Sequence, residues 1–488
     1  MSKQDKKELR QQIACEWLEE NYLNYGSLRH DVVTDRLQIR MADSLEDGSA
    51  YCLEFRGKEN WRNLTDKDIN TMVCQCVAEK GVNISTNEMW TALKSDMVPA
   101  VHPLRAWLDG LRPYTADQPD WIDFVAQQVH VKNNNAECGI NKDNLNNLCA
   151  RPTLALAKED ISPLSQQQSV SSPLSNVGEA EELSMLSSEQ TNPLSLQDSP
   201  ADGLWRTCFK KWFVAMVASW MKDEVVNHTV LVLVGRQGIF KTTWLDKLIP
   251  PELRAYSSKL PLSGQISKDD RLRLCENGML NIDELDAMCG REMNIVKSLL
   301  TSTDVNERAA YGRLKERRVR LASFCASTNK REFLTDITGN RRWLPFEVES
   351  IQNPFYTTLP YDLMYAQAWA LAQDPTFSYW FELDEIEVLE EHNQHFRDES
   401  NEEQLLPILF DVPAEGKGEF MTTAQISERL VTYGNIKKPM AIGRLGVLLG
   451  QKGYRSVQRQ LGGHRARGWI VYQRDTNEID SMKRLLAK

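Results

Sequence analysis

The 488-residue sequence has no apolar run long enough to span a membrane. Its most apolar stretch outside strand-like segments, Trp212 to Met221, falls far short of the roughly twenty residues a bilayer requires. The opening residues, MSKQDKKELRQQ, lack the apolar core of a signal peptide. Both absences predict a soluble, cytoplasmic protein. Zinc-knuckle spacing is missing as well. Cys74 and Cys76 are separated by a single residue, and no histidine lies near them. The ten cysteines therefore read as free, buried thiols in a reducing compartment. An excess of positive charge is absent too, since the net charge is −10, which argues against blanket coating of nucleic acid. The deficit is uneven. From Asp411 to Lys488 fourteen Lys/Arg face seven Asp/Glu, so a basic tail follows an acidic body.

An apolar share of 41% supports real cores, and the length suits roughly three domains. Residues 1–131 read as an α+β domain, mainly helical. Val32–Ile39 resembles a hairpin and Tyr51–Phe55 a strand. Thr65-Asp66-Lys67-Asp68 has the form of a capped helix start, and helical patterns follow through Ile69–Glu79 and Thr86–Leu93. Trp61, Trp90, Trp107 and Trp121 are expected to supply core bulk. Residues 132–203 change character, with almost no aromatics and a recurring Ser-Pro-Leu-Ser or Asn-Pro-Leu-Ser unit, and are expected to form a disordered linker. Order returns at Leu204 with a buried helix around Lys210–Val217. Residues 204–400 form a third region with a helical, acidic extension, and residues 410–488 a last domain.

The third region carries the chemistry. Leu231-Val232-Leu233-Val234 is a continuous apolar run, as in a parallel strand buried on both faces. Gly235-Arg236-Gln237-Gly238-Ile239-Phe240-Lys241-Thr242-Thr243 follows, then a helical pattern from Trp244 to Leu248. Strand, glycine loop and helix start in this order form a phosphate cradle. Main-chain N–H groups hold phosphates, Lys241 reaches the β/γ oxygens of ATP, and Thr242 binds Mg2+. Phe240 departs from the pattern, standing where a glycine is usual; its bulk is expected to restrict the backbone and narrow the pocket.

A second apolar strand, Gly278 to Ile282, ends in Asp283 and Glu284. Asp283 suits the metal shell and Glu284 the polarising of an attacking water; an ordinary acidic turn is the plainer alternative. A third strand, Leu321–Ser327, ends at Thr328-Asn329, whose amide suits the γ-phosphate or the water, or simply a turn. Thr338-Gly339-Asn340-Arg341-Arg342 places two arginines after a glycine turn. One, with Arg341 favoured over Arg342, suits a finger reaching a neighbouring subunit's nucleotide; the other suits an ion pair.

From about His102 to Val348 the chain resembles the virulence-associated protein E family, which itself resembles superfamily 3 helicases and the helicase half of poxvirus-type primase-helicases. The carrying residues are His102-Pro103-Leu104, Asn227-His228, GRQGIFKTTWL at 235–245, NIDELD at 281–286, RAAYGR at 308–313, ASTN at 326–329 and FLTDITGNRRWLPF at 333–346. The resemblance implies a parallel α/β sheet with flanking helices of the AAA+ and superfamily 3 type. It further implies a homo-oligomeric, hexameric ring and a basic hairpin gripping DNA in its channel. Arg313, Lys315, Arg317 and Arg318 take that hairpin role; a solvated hairpin is the alternative. The family is often encoded on phages, integrative elements and pathogenicity islands, which implies a part in element replication. Relatives can carry a primase at the N-terminus, but residues 1–130 lack a paired-carboxylate palm signature or zinc knuckle, which speaks against priming. The 132–203 linker looks like an insertion relative to the family.

In the last domain, Thr422–Leu430 and Met440–Gln451 read as helices. Two β-like runs, Tyr454–Gln460 and Trp469–Tyr472, flank a Gly-rich basic turn. This is the outline of a winged helix, with the second helix as reader and Arg455, Arg459, Arg465 and Arg467 as phosphate contacts; a protein-interaction module is the alternative. The expectation is an ATP- and Mg2+-dependent DNA translocase or helicase acting on single-stranded or forked DNA, away from any membrane. The alternative is a nucleotide-gated DNA-binding or defence ATPase that does not unwind. A small-molecule kinase is disfavoured, because Glu284 suits water and no acceptor motif is evident.

Overall fold

The computed structural model describes residues 3–40, 61–132, 200–260, 267–283, 285, 290–307, 316–334, 340–414, 418–461 and 464–486. They form two compact α/β units: Met1–Asn329 with Trp343–Leu389, and Lys330–Arg342 with Glu390–Lys488.

The first unit opens on the helix Lys3–Leu18 and a small sheet of β1 (Leu28–Asp31), β2 (Arg36–Arg40), β3 (Trp61–Asn63) and β4 (Ala100–Val101), ordered β3-β2-β1-β4. The hairpin anticipated at Val32–Ile39 begins earlier: residues 32–35 form its turn, and the strands are β1 and β2, with Leu28 opposite Ile39 and Asp31 opposite Arg36. The anticipated strand at Tyr51–Phe55 lies outside the described residues. Thr65 and Asp68 make a reciprocal capping box, satisfying two end N–H groups of the helix Asp66–Lys80. Ser85 and Glu88 do the same for Thr86–Leu93. Trp61, Trp90, Trp107 and Trp121 are only partly buried. The fully buried tryptophans are instead Trp17, Trp205, Trp212, Trp220, Trp244 and Trp343. Trp61 faces a cation, with the Arg29 guanidinium 4.2 Å from its ring centroid, and Lys94 lies 5.1 Å from that of Trp90.

The central sheet contains β5 (Val129–Val131), β6 (Val230–Val234), β7 (Ser257–Lys259), β8 (Met279–Ile282), β11 (Ser323–Thr328) and β12 (Trp343–Ile351), in the order β5-β12-β6-β11-β8-β7. A separate antiparallel pair, β9 (Asp304–Glu307) and β10 (Glu316–Val319), precedes β11. Five of the six central strands are parallel; β5 runs antiparallel at the edge. Every residue of β6, β8 and β11 is buried, which is why β6 reads as an unbroken apolar run and β8 and β11 as mainly apolar ones rather than alternating.

The helix Pro200–Met221 packs under this sheet with Trp205, Phe209, Trp212, Phe213 and Trp220 in one core. A helix apolar on nearly every face is a core helix. Among the described residues no helix is long and apolar enough to cross a membrane.

Two expected boundaries move. The helix begins at Pro200, inside the span read as linker, and residues 133–199 lie outside the described residues. Residue 131 is not a domain border either. β5 pairs with β12, and Trp205 Nε1 donates to the Ala126 carbonyl at 2.9 Å. The physical reason is local: β12 has an edge to cover, and Val129 and Val131 are buried in covering it.

The second unit holds helices Asn401–Leu409, Thr423–Gly434 and Ile442–Gln451. Its strands are β13 (Phe410–Asp411), β14 (Glu419–Thr422), β15 (Arg455–Leu461) and β16 (His464–Gln473). β16 pairs antiparallel with each of the other three. Leu430, Leu445, Leu448, Leu449, Trp469 and Val471 fill its core.

Candidate functional site

The C-terminal ends of β6, β8 and β11 converge on one cavity of about 290 Å³. It is lined by Gln237, Gly238, Phe240, Lys241, Thr242, Thr243, Asp283, Ser327, Thr328 and Asn329. Six of the eight loop residues expected to bind nucleotide thus face it; Gly235 and Ile239 do not line it. Ile239 belongs to the buried core. Gly235 is required for closeness, because a Cβ there would sit 2.8 Å from the Val348 carbonyl oxygen. Gly238 supplies a left-handed φ of +86° in open space.

Phe240 corrects an expectation. Its bulk was expected to restrict the loop, yet its φ of 66° and ψ of 18° keep the left-handed conformation that glycine favours. For a non-glycine residue this costs about 1–2 kcal/mol. The Phe240 ring meets Phe355 edge-on, with centroids 6.1 Å apart.

Lys241 is buried, and its ammonium donates to the carbonyls of Gly235 (2.7 Å) and Arg236 (2.8 Å) and to Asn329 Oδ1 (3.1 Å). The loop thus folds its own carbonyls around the cation, and the Asn329 amide reaches it from the tip of β11. Thr242 Oγ1 donates to Asp283 Oδ1 at 3.3 Å and lies 3.0 Å from Ser327 Oγ, which is 3.4 Å from the same carboxylate oxygen. Lys259 donates to Asp283 Oδ2 at 2.6 Å. Burial pushes the Asp283 carboxyl up, but the Lys259 ammonium and the two hydroxyls outweigh it and hold the group below the usual carboxylate range. Two hydroxyls and one carboxylate form a hard-oxygen set, which fits Mg2+. Glu284 lies outside the described residues.

Sequence reasoning missed Ser327 and Lys259. Ser327 had a usable signal, as the residue two before Asn329 at the end of an apolar strand. Lys259 had none, because β7 is three residues long and carries no apolar period.

Arg313 and Lys315 also lie outside the described residues. Arg317 is exposed and pairs with Asp304 across β9–β10 at 2.8 Å. Arg318 departs from the role expected of it: it is turned inward, bonding the Val33 carbonyl and Glu276. A guanidinium held by a turn carbonyl and a carboxylate anchors the hairpin instead of offering itself to solvent. Beside it, Arg320 is fully buried. Its guanidinium donates to the carbonyls of Asn227, Leu299, Leu300, Ser302 and Ala322. Three of these lie at the end of the helix Gly290–Thr301, where the backbone dipole favours a cation. Burial pushes Arg320 down to about 9, so it remains charged at neutral pH.

Arg341 and Arg342 form a single 3-10 turn, Asn340–Arg342, within the second compact unit. Arg341 is exposed and Arg342 half-buried. In that unit Arg455, Arg459, Arg465 and Arg467 are all exposed, but they do not share one face. Arg459 lies opposite Ala466 and Arg455 opposite Ile470, whereas Arg465 faces Gln460 and Arg467 faces Gln458. Directly opposed residues share a sheet face, so the four split two and two. The helix Ile442–Gln451 exposes Ile442 and Val447, an apolar surface for an element expected to read DNA.

Fold and cavity together define a mixed α/β protein whose parallel sheet gathers a glycine loop, a lysine, two hydroxyls and a carboxylate at one strand-end edge. Residues 193–398 match the family model described as the virulence-associated protein E-like domain. Among solved structures it is similar to the NrS-1 C terminal region in apo form, at 12% identity over 92% of this chain and 97% of that chain, with a TM-score of 0.37. The A form of the same region is similar at 11% identity over 92% and 98%, also with a TM-score of 0.37. No curated protein matches the chain.

Proposed function

We propose that this chain is a P-loop ATPase that uses ATP and Mg2+ to move along or unwind DNA, in the service of a mobile element's replication. One observation carries the reading: Lys241, Thr242, Asp283, Ser327 and Asn329, drawn from three parallel strand ends, line a single cavity. The strand order supports it, since the glycine loop leaves the central strand β6, the amide leaves its neighbour β11 and the carboxylate leaves β8, the next strand on the same side. Ligands in such sheets sit outside the carboxyl ends of the strands.

In this reading the loop N–H groups and Lys241 neutralise the β- and γ-phosphates, and the ammonium exchanges its carbonyl partners for phosphate oxygens. Thr242 and Asp283 hold Mg2+, with Ser327 orienting the carboxylate; the ion would supply charge neutralisation on the phosphates. Asn329 orients the γ-phosphate or the attacking water, and Glu284 polarises that water. Arg341, or failing it Arg342, acts across a subunit boundary in a homo-oligomeric ring. Arg317, with Arg313 and Lys315, contacts the DNA backbone. The second unit is read as a winged helix whose ribbon arginines add phosphate contacts.

Strand displacement on a forked DNA is the test. Unwinding that requires ATP and vanishes in Lys241→Ala supports the motor. DNA-stimulated hydrolysis without displacement leaves a nucleotide-gated switch in its place.

A further inference from the structure

The candidate metal carboxylate already has a cation on it. Lys259 ends β7, the outer strand of the central sheet, and parallel pairing sets it beside Asn281, two residues before Asp283. Its backbone is pinned, because its carbonyl accepts from Arg273 at 2.9 Å and the next N–H, of Leu260, donates to the Asn281 carbonyl at 3.0 Å. Its side chain is not buried: 57% of it is exposed, against 36% for Asp283. An ion pair this exposed contributes only about 0–1 kcal/mol to stability. The fold therefore gains little from the contact, while the site gains a great deal. Asp283 Oδ1 faces the two hydroxyls at 3.3 and 3.4 Å, and the shortest bond on the carboxylate is the one from Lys259 to Oδ2, at 2.6 Å.

We propose that Lys259 is the resident counter-cation of this carboxylate, neutralising Asp283 until a divalent ion displaces it. The inference rests on the nucleotide reading above and deepens it. A pinned main chain with a largely exposed side chain lets the head group leave without moving the strand. A bare divalent ion must compete with that ammonium for the Asp283 carboxylate. An ion arriving with a triphosphate brings anionic oxygens that accept the released ammonium, so the exchange becomes favourable. The site is thereby biased towards the metal–nucleotide complex over the metal alone.

The test uses the full chain and Mn2+ as probe, followed by its electron paramagnetic resonance signal, without nucleotide. Lys259→Gln should bind Mn2+ about tenfold more tightly than wild type, because a positive charge next to the carboxylate has been removed. Lys259→Arg should stay near wild type, and Asp283→Asn should lose the site. All four proteins should melt within a few degrees of one another. With adenylyl imidodiphosphate added, the gap between wild type and Lys259→Gln should narrow. Equal Mn2+ affinity in wild type and Lys259→Gln, or weaker affinity in the variant, overturns the proposal. If no protein binds the analogue but Lys259→Gln still tightens Mn2+, the counter-cation stands and the ATPase reading falls.

Discussion

The candidate site of the first unit and the ribbon of the second treat their cations in opposite ways. In the first, Lys241, Lys259, Arg318 and Arg320 are each held by carbonyls or carboxylates of the same unit. In the second, Arg455, Arg459, Arg465 and Arg467 stand exposed on the two faces of a ribbon, where among the described residues Arg467 meets only the Ser456 hydroxyl and Arg459 only the Phe420 ring, with no carboxylate on any of the four. A cation that must meet one small anion is worth most where it is oriented in advance and partly dry. A cation that meets a long polyanion works through counterion release and needs no fixed partner. The contrast separates a shaped site from a charged surface, and substitutions on either side can break it.

The largest effect is expected at Arg320. Replacing it with Ala strands four buried carbonyls and a partly buried one, and should cost about 3–5 kcal/mol, read as a drop in the urea midpoint. A loss below about 1 kcal/mol would mean that water or a shifted side chain replaces it. Next comes Lys241→Ala, which should lower ATP turnover by about 100-fold or more while leaving the melting temperature close to wild type. Equal turnover would place the chemistry elsewhere.

The ribbon arginines should act additively and weakly. Removing either pair, Arg455 with Arg459 or Arg465 with Arg467, should reduce the log–log salt slope of DNA binding by roughly two units, at about 0.9 per phosphate contact. If one pair changes the slope and the other does not, DNA lies against one face of the ribbon. If neither does, the second unit binds something other than nucleic acid.

The smallest effect concerns pH. His102 caps the helix Pro103–Asp109, its Nδ1 accepting from the Arg105 N–H. Burial, followed by the Arg105 charge, pushes its imidazole down to about 4. The unfolded chain therefore takes up the proton first, at about 6.5. The contribution is intact above that pH and is lost as the pH falls towards about 4. In His102→Gln the loss of stability between pH 7 and pH 5 should shrink by about 1 kcal/mol, after allowance for solvent screening.

The parts of the site that were legible in the sequence are local ones. Gly235 to Thr243 forms one strand–loop–helix unit, so spacing along the chain is spacing in space. Asp283 and Asn329 were legible because each follows a mainly apolar strand, a pattern that buried parallel strands impose. The capping box at Thr65 belongs to the same category. Phe240 was half legible: the departure from glycine could be seen, but not that the backbone would keep a left-handed φ in spite of it.

What the chain order determined by itself is the set of chemical groups: a phosphate-type loop, a carboxylate after one strand, an amide after another and a basic tail. These follow from periodicity and spacing within a few residues. Tertiary structure alone decided which cations stay available. Lys259 meets Asp283 only because β7 lies beside β8, and Arg318 turns inward only because the Val33 turn and Glu276 come to meet it. Charge is a property of the residue, but its availability depends on what folding brings within hydrogen-bonding reach.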